Sequence, residues 1–146
     1  MSQMIFVNLP VSDLPKSRAF VEALGAVNEP KFTDETAACM RLGDSIFVML
    51  LTHDKFSQFT PRPIADATAG SEVLLCLSSD SRESVDATVE RAVTAGGTAD
   101  IAPKQDYGVM YGRSVADPDG HIWEIMWMDP AFAEKGAQQV EDAAAA

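Results

Sequence analysis

The chain has 146 residues, of which 47% are apolar and 23% charged, a balance that excludes a disordered or fibrous protein and suits one domain with its own core. Its formal net charge of -11 disfavours nucleic acid and anionic membranes, which require basic groups on the protein, and favours cationic ligands. No apolar run is long enough to span a bilayer, and the opening MSQMIFVNLPVSD lacks the basic start and small-residue cleavage site of a secretory signal, so a cytoplasmic location is expected.

Met4 to Val11 reads as a strand, followed by an N-cap at Ser12 or Asp13 and a helix DLPKSRAFVEALG that carries Pro15 in its first turn and stops at Gly25. AACMRLGDSIFVMLL, broken at Gly43-Asp44, has the pattern of a hairpin. Thr52 to Ala69 is polar and proline-bearing and reads as a connection. The same order then begins again. EVLLCLS is a strand, and SRESVDATVERAVTAGG is a helix with Val85, Val89, Ala92 and Val93 on one stripe, a capping box at Asp80 and Glu83, and a stop at Gly96-Gly97. TADIAP, GVMYGRSV and HIWEIMWM are three further extended runs, the last two joined by a tight turn at Asp117-Pro118-Asp119-Gly120. The fold class is therefore α+β, one domain over residues 4–129 made of repeats at about 4–52 and 71–129, with a tail over 131–146 holding at most a helical turn or two. A ferredoxin-like domain of four strands would leave the 37–51 hairpin unexplained.

Two segments, NLPVSDLPKSRAFVEALG and YGRSVADPDGHIWEIMW, resemble the first-repeat opening and the second-repeat closing hairpin of the vicinal oxygen chelate superfamily, the glyoxalase, bleomycin-resistance and extradiol dioxygenase proteins. The chain is similar within it to glyoxalase-like (lactoylglutathione lyase-like) members of undefined substrate. The resemblance implies tandem βαβββ repeats forming a curved mixed sheet around a small-molecule pocket, and a homodimer. Metal enzymes of the family hold one divalent ion with four side chains. Their positions fall here on Phe6, on Met49 (or Val48 if the Gly43-Asp44 turn shifts the register), on Glu72 and on Glu124. Phe6 and Met49 cannot coordinate a cation, so no metal or other cofactor is expected beyond a weak divalent ion at Glu72 and Glu124.

In HIWEIMWM, Ile122, Glu124, Met126 and Met128 share one face and Trp123, Ile125 and Trp127 the other. A carboxylate in so apolar a strand faces water or a pocket, or is paired with Arg113 or Arg41. In the pocket, Glu124 is the candidate catalytic base or the partner of a cationic ligand. Glu72 has the same two roles open to it, or a place at the solvent edge. Tyr111 and Arg113 alternate on one face and either clamp an anionic or carbonyl-bearing ligand or, for Arg113, neutralise a neighbouring acid. In the register that the resemblance implies, Phe6, Met49 and Met126 would line the cavity. Cys39 and Cys76 sit in apolar runs as small hydrophobes, His121 reads as an exposed turn residue, His53 as capping or solvated, Asp106 and Tyr107 as part of a surface loop, and Asp117 and Asp119 as turn formers.

Two functions compete. One is a metal-dependent lyase or isomerase of the glyoxalase type acting on a small carbonyl or thiol-conjugate compound, with Glu124 as base. The other is a metal-free protein that binds a small or cationic organic ligand, in the manner of the bleomycin-resistance members. The incomplete ligand set and the acidic charge favour the second.

Overall fold

The computed structural model describes residues 2–136. The first repeat runs β1 (Ile5–Val11), α1 (Leu14–Ala23), β2 (Val27–Asn28), β3 (Ala37–Gly43) and β4 (Ile46–Thr52). The connection contains α2 (His53–Ser57), and the second repeat follows as β5 (Leu75–Ser78), α3 (Arg82–Thr94), β6 (Thr98–Ala99), β7 (Gln105–Asp106), β8 (Met110–Ala116) and β9 (Ile122–Met128), closed by α4 (Pro130–Ala133). α4 supplies one helical turn at the start of the tail, and the residues beyond Gly136 lie outside the described residues. No helix among the described residues is long and apolar enough to cross a membrane.

Local chemistry sets the helix ends. Asp13 caps α1 by accepting from the Lys16 N–H at 3.1 Å, and Pro15 occupies the first turn, where its missing donor has no cost. The cap of α3 is Ser81, which accepts from the Ser84 N–H at 3.0 Å, and not the Asp80–Glu83 box that the sequence suggests. The serine hydroxyl sits one residue nearer to the orphan N–H and takes it.

Each repeat forms its own mixed sheet. The first has the order β1-β4-β3-β2 and the second β5-β9-β8-β6, with β7 also paired to β8. In both, the opening strand lies parallel to the last strand of its repeat, so the duplication expected from the sequence is reproduced, with β7 added in the second repeat. The repeats form two mixed sheets that are not closed on each other. Glu72, Val73 and Leu74, expected as strand, lie outside β5 and are exposed.

Alternate residues face the helices. Leu9, Val11, Met40, Val48 and Leu50 from the first sheet and Val115, Trp123 and Ile125 from the second form one buried cluster with Phe20, Val21, Val85 and Val89 of α1 and α3. Each such aliphatic side chain contributes about 1.5–3 kcal/mol on burial. The repeats also meet through Gly97, where an added Cβ would stand 2.6 Å from Phe20 and 2.9 Å from Val115. Asp119 ties the second repeat to the first by accepting from the Ser12 N–H at 2.9 Å and the Ser17 hydroxyl at 3.3 Å.

Candidate ligand-binding site

On the face of the second sheet away from the helices, the pairing of β5 with β9 and of β8 with β9 sets Cys76, Glu124 and Ser114 in one row, side by side. With Gly112, Met110 and Met126 they line a cavity of about 180 Å³. Its far wall comes from an interruption in the edge strand. β6 ends at Ala99 and β7 begins at Gln105, and both pair with β8, so residues 100–104 arch out of the sheet. Asp100 makes that turn at a φ of 56°, a left-handed conformation that aspartate tolerates better than most residues. The Ala102 N–H then donates to the Ser114 hydroxyl at 3.0 Å, and Ala102, Pro103 and Gln105 close over the row.

Two arginines pin this arch. Arg113 donates to both oxygens of Asp100 at 3.1 and 2.8 Å and to Asp86 at 3.0 Å. Arg82 forms a fork on Asp106 at 2.9 and 2.6 Å and lies over the Tyr111 ring at 4.5 Å. The Arg82 guanidinium holds the Asp106 carboxyl down at about 2. The Tyr111 hydroxyl is the main cause that holds Asp86 low, and the Arg113 guanidinium does the same for Asp100.

Glu124 has no such partner. Arg113 is engaged with Asp86 and Asp100, and Arg41 with Glu29 at 3.1 Å and Asp44 at 3.9 Å. Among the described residues Glu124 makes neither a hydrogen bond nor a salt bridge through its side chain, so its half-buried carboxylate is directed at the cavity and not at a structural cation. Burial raises the neighbouring Cys76 thiol, and the charge of Glu124 raises it further.

The other residues proposed from the sequence divide. Met126 lines the Glu124 cavity. Tyr111 and Arg113 do share a face, but it is the helix-covered one: the Tyr111 hydroxyl donates to Asp86 at 2.7 Å, and the Arg113 side chain is 11% exposed. Tyr111 is not brought to Glu124, whereas Arg113 lines the Glu124 cavity with its guanidinium engaged by Asp86 and Asp100. Glu72 lines a different cavity, a cleft of about 360 Å³ between the two sheets, with Asn8, His121 and Ile122. The strand register places Cys76, four residues further on, beside Glu124 instead. Phe6 is 49% exposed and stacks on Phe47 at 4.8 Å between centroids. Met49 pairs with Asn8 and Cys39 on the open face, while Val48 is buried under the helices, so the bulge between Arg41 and Gly43 leaves Met49 in the expected orientation. These positions do not fit a divalent metal: two are apolar, and the two carboxylates line separate cavities. Among the described residues no group of three or more His, Cys, Asp or Glu side chains is placed to hold an ion.

Three features were missed from sequence. Cys76 is exposed on the open face rather than packed as a hydrophobe, since the even-numbered side of β5 has no layer over it. Period-two alternation puts it on one face with Glu72, but its pairing with Glu124 depends on register between strands distant in sequence. Ser114 follows from the same register. His121, expected to be exposed, is 14% exposed at its side chain, and its Nδ1 lies 2.9 Å from Asp117 Oδ2. A histidine four residues after a turn aspartate is the only hint of that pair that the sequence carries.

Comparisons with known proteins agree with this architecture. The model of the Glyoxalase/Bleomycin resistance protein/Dioxygenase superfamily matches residues 3–125. A hypothetical protein from S. aureus superposes with a TM-score of 0.71 at 28% identity, over 87% of this chain and 95% of the other. A glyoxalase-related enzyme from Fulvimarina pelagi gives a TM-score of 0.71 at 25% identity, over 87% and 88%. An antibiotic binding protein from Streptomyces sp. shares the fold with a TM-score of 0.58 at 22% identity, over 88% and 97%. No curated protein matches the chain.

Proposed function

The chain belongs to the Glyoxalase/Bleomycin resistance protein/Dioxygenase superfamily, and we propose that within it this protein binds a small organic cation, without a metal, in the cavity on the open face of its second sheet. The observation that carries this is the unpartnered Glu124 carboxylate in a cavity lined also by Cys76, Ser114, Gly112 and Met126, in which the one basic residue, Arg113, has its charge taken up by Asp86 and Asp100. A half-buried anion with no cation of its own is stabilised by one brought by a ligand, and the thioether wall accepts the apolar part of such a ligand. The fold is used for antibiotic binding in the Streptomyces neighbour, and the net charge of -11 draws cations toward the surface.

Tetramethylammonium and choline are suitable probes by isothermal titration. Saturable binding that weakens about tenfold or more in Glu124→Gln is expected, the size of one charge-assisted contact. Zinc or nickel should raise the melting temperature little, because only a ligand bound well by the folded state shifts it. A large metal-dependent rise, abolished by Glu124→Gln, would replace this proposal with the metal-dependent lyase or isomerase.

A further inference from the structure

The cleft between the sheets contains chemistry that the Glu124 cavity does not use, and the two cavities share no lining residue. Its central feature is the Asp117–His121 pair. Asp117 is almost fully buried, with a side chain 2% exposed. Its oxygens accept from the backbone N–H groups of Asp119 at 3.0 Å and His121 at 2.9 Å and from the Trp123 indole N–H at 3.4 Å. Every neighbour of this carboxylate is a donor, so the His121 Nδ1 at 2.9 Å is a donor too. At a pH above the raised His121 value the ring is neutral, which leaves Nε2 as a bare lone pair, with the ring fixed at its other end.

His121 lines the inter-sheet cleft with Glu72, Asn8 and Ser71, and on its other side a smaller cavity with His53, Asp66 and Asp119. Neither cavity is lined by Lys or Arg. The polar groups of the cleft thus include two acceptors that have no donor of their own, the neutral imidazole nitrogen and the Glu72 carboxylate, beside the Asn8 amide and the Ser71 hydroxyl, which can each accept. The remaining wall is apolar, with Leu9, Phe56 and Ile122 among its residues. An ammonium with three N–H donors satisfies several such acceptors at once, whereas a quaternary ammonium has no N–H to offer, and an anion would meet the Glu72 carboxylate with no Lys or Arg to offset it.

We propose that this cleft is a second ligand site, for a small primary amine with an apolar body, whose ammonium donates to Nε2 of His121 and to the carboxylate of Glu72. The site is independent of Glu124, so its success or failure leaves the first cavity untouched.

The test uses the full-length Glu124→Gln protein, from which the first site's charge has been removed, titrated with benzylamine and with benzyltrimethylammonium at a pH above the raised His121 value, where Nε2 is an acceptor. Benzylamine should bind saturably, at least tenfold more tightly than the quaternary compound, and should shift the His121 Nε2 resonance in a ¹⁵N spectrum. Adding His121→Gln or Glu72→Gln should each weaken benzylamine about tenfold. If His121→Gln fails to fold, Glu72→Gln decides, because Glu72 is exposed and outside the strands. Equal affinity for the two compounds, no saturable benzylamine binding at millimolar concentration, or unchanged affinity in a folded Glu72→Gln protein would overturn the proposal.

Discussion

Asp117 does more at the residue scale than form a turn. It accepts two backbone N–H groups, an indole N–H and an imidazole N–H while nearly fully buried. Substituting Asp117→Asn replaces one acceptor oxygen by an NH₂ that faces donors, and a loss of about 2–3 kcal/mol of stability is expected in denaturant unfolding. The same pair gives the protein a pH dependence. Burial pulls the His121 imidazole down, but the Asp117 hydrogen bond and the charges of Asp117 and Asp119 offset this and leave it raised above 6.5. A raised histidine contributes stability that is fully present below about pH 6.5, the unfolded value, and is lost as pH rises through the folded one. Melting temperature should therefore decline from pH 6 upward by a histidine-sized step in the wild type and not in Asp117→Asn. An identical decline in both would show that this pair is not its source.

The elements that were legible in the sequence are those whose signals are local. The span of α1, the extent of β3 and β4 around Gly43, and the β8–β9 hairpin through Gly120 follow from caps, turn residues and alternation. Gly120 adopts a φ of 96°, and an added Cβ there would meet Thr68 at 2.8 Å, so the turn also receives the connecting segment. What was not legible is short or held from outside. β2 and β7 have two residues each, too few for a period to register, and each exists because a longer partner strand supplies its hydrogen bonds; of the extended run TADIAP only Thr98 and Ala99 form strand β6. The arch over residues 100–104 is held by Arg113 and Arg82, which lie on other elements. Gly97, which reads in sequence as a helix stop, is in fact where α1 of one repeat approaches β8 of the other. Gly97→Ala should cost about 1–3 kcal/mol through overpacking against Phe20 and Val115, measured as a fall in unfolding midpoint at unchanged m-value. A neutral result would mean that the two repeats are less tightly joined than their shared core implies.

At the scale of the whole molecule, the first sheet keeps an apolar margin on its surface: Met4, Ile5, Phe6 and Ile46 are each at least 42% exposed. Contiguous apolar surface of this kind is costly to leave in water, and we propose that a second copy of the chain covers it in a homodimer. Light scattering at micromolar concentration should return twice the monomer mass, and Phe6→Glu should return the monomer; a strict monomer in the wild type would dismiss the idea. The sequence by itself determined the duplicated α+β architecture and which side chains share a face, because caps, turns and period-two alternation are written within a few consecutive residues, while the family rested on the resemblance of two segments. It also marked Glu124 as a carboxylate needing an explanation. Only the tertiary structure decided that explanation. Arg113 turned out to belong to Asp86 and Asp100, Cys76 rather than Glu72 came to stand beside Glu124, and His121 was locked onto Asp117 at the edge of a cleft. Each of these rests on the register between strands far apart in sequence, or on which face a loop folds across, and both are settled by the packing of the complete core.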